Sequence, residues 1–170
     1  DKDKIKYVPN GISEETFKKV KKFTDKYNLK NKFIISYIGR IQKYKGLDQV
    51  IKVLPKLNKK IVFLAIGKDA GDKRRLIEMS RKLKVNDRVI FTGEISNDEK
   101  LFLLDSSEVF VMPSEWEAFG IVIIEAMARG NAIISTKNEG ALFLVKKDNG
   151  LLYNFNDIKK LEENINLLYK

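Results

Sequence analysis

Residues 33–46 read Phe33-Ile34-Ile35-Ser36-Tyr37-Ile38-Gly39-Arg40-Ile41-Gln42-Lys43-Tyr44-Lys45-Gly46, an apolar run that stops at a glycine and turns through a cationic loop. A helical pattern follows at once. Leu47, Val50, Ile51, Leu54 and Leu57 recur at the spacing of one helix face, and Pro55 predicts an early end or kink. The same succession returns along the chain: Ile61 to Ile66 ends at Gly67, Val89 to Thr92 at Gly93, Val109 to Met112 at Pro113, and Ala132 to Ile134 at Ser135. Short continuous apolar runs suit strands covered on both faces. Their alternation with helical segments predicts an α/β domain with a Rossmann-like, doubly wound parallel sheet and helices on both faces. Ser96 with Glu99 predicts a capping box before Leu101, Phe102 and Leu104. Ser13 predicts the cap of a helix carrying Phe17, Val20, Phe23 and Tyr27, and Asp157 to Tyr169 a last amphipathic helix.

The 170 residues have the length of one domain, and no linker, repeat or low-complexity stretch divides them. With 44% hydrophobic and 33% charged residues the composition is that of a folded protein. There is no Cys and no His, which excludes disulfides, thiol nucleophiles, imidazole acid–base chemistry and metal sites built on those side chains. Any chemistry falls to carboxylates, Lys, Arg, hydroxyls and backbone. The net charge of +10 comes mostly from Lys spread along the chain, with a local excess of ten Lys over five acids in residues 1–32. A nucleic-acid face would gather that charge and interleave it with aromatics, so a solvated Lys-rich surface is the simpler reading and no nucleic-acid partner is expected. No apolar run approaches the roughly 18 residues that cross a bilayer. The start, Asp1-Lys2-Asp3-Lys4, lacks the apolar stretch of a signal peptide, so a cytoplasmic setting is expected.

In doubly wound sheets ligands bind at the carboxyl ends of the strands. Neither Gly-x-Gly-x-x-Gly after the first strand nor a Gly-x4-Gly-Lys-Ser/Thr loop is present, which demotes dinucleotide oxidoreductases and phosphate-loop hydrolases. The loop from Gly39 to Gly46 instead offers Arg40, Lys43 and Lys45 just before a helix, a set suited to phosphate oxygens; the plain alternative is a Lys-rich turn. After the fourth run come Pro113-Ser114-Glu115-Trp116-Glu117-Ala118-Phe119-Gly120 and a helix, Ile121 to Gly130, apolar almost all round apart from Glu125 and therefore predicted to be buried. Glu125 stands about 7 Å along the helix axis from the loop, close enough to share one ligand with it. The plain alternatives are an i,i+4 pair of Glu125 with Arg129, an exposed acid at a helix N-terminus for Glu117, and a packed aromatic for Trp116.

Together these segments resemble the C-terminal domain of the family 4 retaining glycosyltransferases, two-domain enzymes of GT-B architecture. Val8-Pro9-Asn10-Gly11-Ile12 matches the opening of that domain, Gly39-Arg40 with Lys45-Gly46 its donor-phosphate loop, and Gly67 and Gly93 its strand-end glycines. Pro113-Ser114, Glu117-Ala118-Phe119-Gly120 and Glu125-Ala126-Met127-Ala128-x-Gly130 match its signature, with seven residues between the paired glutamates. The resemblance implies a nucleoside-diphosphate sugar donor, a UDP-, GDP- or ADP-sugar, and no metal or other cofactor. It implies that Arg40 and Lys45 hold the diphosphate and stabilise its departure, that Glu125 takes the ribose hydroxyls, and that Gly93-Glu94-Ile95 form the base pocket. Glu117 would stand at the reaction centre, as nucleophile or as stabiliser, with the amides of Ala118, Phe119 and Gly120 beside the sugar.

The resemblance further implies one half of a GT-B enzyme. The N-terminal domain, the acceptor (a sugar or a lipid-linked glycan) and contact of the full-length enzyme with the inner membrane face would belong to the longer protein, and residues 1–170 alone are expected not to transfer sugar. Two departures stand out. Ala132 replaces a frequent Pro, and Glu139-Gly140-Ala141-Leu142-Phe143 replaces a Gly-Gly pair followed by Pro-Glu, without the acidic residue expected near Phe143. That altered loop favours the competing reading of a non-catalytic, regulatory domain of the same fold; a basic module for nucleic acid or membrane surfaces is the third.

Overall fold

The computed structural model describes residues 8–20 and 26–170. Among them β1 (Phe33–Ile38), β2 (Ile61–Ile66), β3 (Val89–Gly93), β4 (Val109–Met112), β5 (Ala132–Thr136) and β6 (Leu151–Tyr153) form one sheet, all pairs parallel, in the order β3-β2-β1-β4-β5-β6. The order reverses between β1 and β4, so the loops after these two strands flank the crevice where such sheets bind ligands. Five strands coincide with the apolar runs. The sixth has three residues, Leu151 and Leu152 being only half-buried at the sheet edge, and carries no comparable run.

The helices are α1 (Leu47–Val53), α2 (Lys73–Lys82), α3 (Asn97–Asp105), α4 (Ile121–Ala128), α5 (Glu139–Leu144) and α6 (Ile158–Leu168). Ile35 and Tyr37 of β1 and Phe63 of β2 join a core with Val50 and Ile51 of α1 and Leu161 and Ile165 of α6. Their neighbours Ile34, Val62 and Leu64 alternate to the other face, where they meet Leu103 of α3 and Leu29. Both faces are thus covered, as continuous apolar strands require. α1 stops at Val53, and Leu54–Lys56 tighten into a 3-10 turn at Pro55, as the missing proline N–H dictates.

Three local expectations are corrected. The segment after Ser13 is a single 3-10 turn, Glu14–Phe17, capped by the Ser13 hydroxyl, and the chain turns extended at Lys18; Phe17 is exposed, and Phe23 lies outside the described residues. The capping box is half formed. Ser96 Oγ accepts from the Glu99 amide, but the Glu99 carboxylate turns to Tyr27 and Lys26. α4 is not buried all round: only Ile123 and Ala126 are, and Ile121 is 44% exposed, because the helix lies against the sheet on one side and borders an open cleft on the other.

Candidate functional site

The strand ends are stitched together by backbone contacts that need glycine. Gly39 N–H donates to Ile66 O at 2.9 Å and Gly67 N–H to Gly93 O at 3.0 Å. Gly67 has φ +133, and a Cβ there would lie 2.2 Å from Gly39 O, so no other residue lets the β1 and β2 loops approach this closely. Tyr37, buried in β1, donates its hydroxyl to Arg40 O at 3.0 Å and fixes the turn from below. Burial, with Glu117 adding to it, holds the phenol well above its ordinary pKa, so the group remains a proton donor.

Two clefts meet at Gly39-Arg40. The first, of about 420 Å³, runs over the ends of β1, β2 and β3 and is lined by Gly67, Lys68, Glu94, Ile95 and Lys100. The second, of about 430 Å³, lies over β4 and is lined by Asn10, Lys45, Glu117, Ala118, Phe119 and Gly120. Arg40 borders both with an exposed side chain, and its guanidinium makes no ion pair among the described residues. Lys45 Nζ lies 2.6 Å from Glu117 Oε2, with side chains only 13% and 20% exposed, so two residues 72 positions apart form a screened pair inside the second cleft. The loops that carry them are joined by Glu115 N–H to Tyr44 O at 2.8 Å, and Gly140 N–H of α5 donates to Glu117 O at 3.0 Å. Gly120, at φ +82, caps the start of α4.

Of the donor-site residues named from the sequence, Gly39, Arg40, Gly67, Glu94 and Ile95 line the first cleft and Gly39, Arg40, Lys45, Glu117, Ala118, Phe119 and Gly120 the second; Gly93 adjoins Glu94, Glu125 is tied to the first cleft through Lys100, and Lys43 lines a separate hollow. Glu125 does not pair with Arg129. Its Oε1 accepts from Lys100 Nζ at 2.8 Å, whereas Arg129 turns to Asp105 and donates to the carbonyls of Thr16 and Lys18 at 2.8 and 2.9 Å. Glu117 is not a lone exposed acid, and Trp116 is not packed but 58% exposed. Lys100 was not legible in the sequence, since nothing local separates it from a surface lysine; its meaning comes from where α3 sets it against α4. Among the described residues no group of three or more carboxylates gathers that could hold a metal ion. Nor is any helix there long and apolar enough to cross a membrane.

Comparison with known proteins identifies the family and the fold. An uncharacterised glycosyltransferase of Methanocaldococcus jannaschii is 30% identical over 158 residues, 88% of this chain and 40% of the relative. An uncharacterised 41.2 kDa protein from the cps region of Klebsiella pneumoniae is 33% identical over 168 residues, 95% and 45% respectively. This chain therefore spans less than half the length of the curated relatives it matches. Among solved structures, Anabaena HepE in complex with UDP and glucose superposes with a TM-score of 0.79 at 26% identity, over 84% of this chain and 40% of that one. A glycosyltransferase from Rickettsia africae, at 24% identity and a TM-score of 0.83 over 99% of this chain and 48% of that one, shares the fold. Residues 5–170 match the family described as glycosyl transferases group 1, and the chain belongs to that family.

Proposed function

We propose that this domain holds the donor in a retaining, family 4 glycosyltransferase of GT-B architecture, with a nucleoside-diphosphate sugar laid along the strand ends. The base and ribose occupy the first cleft, over Gly93-Glu94-Ile95, and Glu125 offers the oxygen not taken by Lys100 to a ribose hydroxyl. The diphosphate spans the junction at Arg40, and the sugar lies in the second cleft against Glu117 and the Ala118-Phe119-Gly120 turn. The observation that carries this reading is the uncommitted Arg40 where the clefts meet, beside a Lys45 whose partner is a carboxylate in the same cleft. As the glycosidic carbon–oxygen bond breaks, charge grows on the leaving diphosphate. Arg40 and Lys45 are set to offset it without a metal. When Lys45 turns to phosphate, Glu117 is released toward the anomeric carbon. The acceptor, a sugar or lipid-linked glycan, meets the donor on an N-terminal domain of the longer protein, and this domain alone transfers nothing because half the cleft is open to water.

HepE was solved with UDP and glucose and with UDP-glucose, at 26% and 27% identity, which makes uridine diphosphate the first donor fragment to test. Ligand-detected NMR on the 170-residue chain compares UDP, GDP, ADP and CDP, with an Arg40→Ala/Lys45→Ala variant as control. One diphosphate is expected to bind, and the variant to lose about 100-fold or more, two charge-assisted contacts at roughly 1.5–3 kcal/mol each. Equal binding by the variant would overturn the assignment. A folded chain that binds none of the four favours the non-catalytic reading, which the altered 139–143 segment supports: it forms α5, and Phe143, in place of the expected acid, sets its ring 5.8 Å from that of Phe119 in the glutamate loop.

A further inference from the structure

We infer that Gln49 is the positioning residue that holds the phosphate-binding loop and the glutamate loop in register, an inference that rests on the donor-site reading above. Gln49 is fully buried in α1, where a helix facing the core calls for an apolar side chain, and the donor-site reading gives it no part. Its amide reaches three loops that are far apart in sequence. Nε2 donates to Pro113 O at 2.9 Å and to Gly46 O at 3.3 Å, and Oε1 accepts from Asn156 N–H at 2.9 Å. Two carbonyls and one N–H fix which way the amide points. Among the side chains, only an amide of this length supplies two donors and an acceptor from one planar group; Leu supplies neither, a carboxylate cannot donate, and Lys cannot accept.

The three partners are not arbitrary. Gly46 follows Lys45, Pro113 opens the loop that carries Glu117, and Asn156 belongs to the connection between β6 and α6, whose Phe155 ring also approaches Gly46. The amide fits because Gly46 has no Cβ: one built there would meet Gln49 Nε2 at 2.4 Å and Pro113 O at 2.2 Å. Beside the Glu115–Tyr44 backbone bond, the separation of Lys45 from Glu117 is therefore held from below by a buried side chain that touches neither. A ligand clamp displaced by an ångström loses much of its contact, so a loose loop would weaken the grip on phosphate before it weakened the base cleft.

The test compares Gln49→Met, close in volume but without donors, with Asn131→Leu, which removes a buried amide bonded to Leu104 O and Ser107 O away from the site. Amide exchange in the unliganded chain is expected to rise together at Gly46, Glu115 and Asn156 in Gln49→Met and at none of them in Asn131→Leu. UDP binding should weaken about tenfold in Gln49→Met while UMP changes less than about twofold. Exchange rising at only one of the three loops, or UDP weakening no more than in Asn131→Leu, overturns the inference. If the unaltered chain binds no UDP, the donor reading with uridine fails and the exchange comparison still decides the role of Gln49. Should Gln49→Met not fold, the side-chain amide of Gln49 in the unaltered chain decides: protons exchanging as slowly as core amides support the clamp, and fast exchange refutes it.

Discussion

Replacing Gly46 by Ala tests how tightly the two site loops are pressed together, and Gly130→Ala supplies the reference. Both glycines are left-handed, at φ +67 and +81, so both substitutions carry the same penalty for an L side chain there, about 1–2 kcal/mol. Both also gain the same small entropic stabilisation from a stiffer unfolded chain, and that term cancels in the comparison. They differ in what the methyl meets. At Gly130 nothing lies within 4 Å, whereas at Gly46 the methyl would stand 2.2 Å from the Pro113 carbonyl and 2.4 Å from the Gln49 amide. Relief requires the backbone at Pro113 to move by roughly an ångström and the Gln49 amide to shift as well, adding about 1–3 kcal/mol. For a domain of this size each kcal/mol shifts Tm by about 2–4 °C, so Gly46→Ala should melt about 2–12 °C below Gly130→Ala. Circular dichroism melts with urea midpoints for both variants make the measurement. Equal losses would mean that the loops part without cost, and the reasoning on loop register would fall with them.

Two other perturbations reach different parts of the molecule. Lys100→Met removes the cation that holds Glu125 Oε1 at 2.8 Å, and is expected to weaken UDP binding about tenfold, the lower end for a charge-assisted bond, with Tm little changed; unaltered binding would remove Lys100 from the site. Glu99 accepts from Lys26 and Tyr27 at 2.6 and 3.0 Å, and the Lys26 bond, helped by Tyr27, holds its carboxyl below the ordinary glutamate value. A depressed carboxyl contributes stability above its unfolded pKa, near 4.3, and loses it as pH falls through the folded value. Urea midpoints of the unaltered chain should therefore drop below about pH 4 more steeply than those of Glu99→Gln, and parallel curves would show that the contact contributes nothing.

Much of the fold was legible because its signals are local. Five of the strands are continuous apolar runs that end at Gly or at a small or ring residue, and Pro55 stops α1 by chemistry contained in one residue. The glycines at 39, 46, 67, 93 and 120 mark positive φ, a demand of the backbone that the sequence displays directly. What failed locally failed for want of a neighbour. β6 is a strand because β5 lies beside it, not because Leu151-Leu152-Tyr153 could be told from a loop. The pattern after Ser13 could not say that Arg129 would take the carbonyls of Thr16 and Lys18.

The candidate site divides in the same way. Which residue types sit at the strand ends followed from the sequence by itself, since such sheets bind ligands at the carboxyl ends of their strands; that the loops after β1 and β4 flank the reversal of strand order did not. Which of them meet was decided only by tertiary structure. Glu125 could reach Arg129 one helical turn away, yet it pairs with Lys100 of another helix, and Lys45 finds Glu117 across 72 residues. Those choices depend on how α3 and α4 are rotated and on how closely Gly46 lets two loops approach, distances set by packing between segments remote in sequence. A short-range pattern states what a side chain can bond; only the packed core states what comes within its reach.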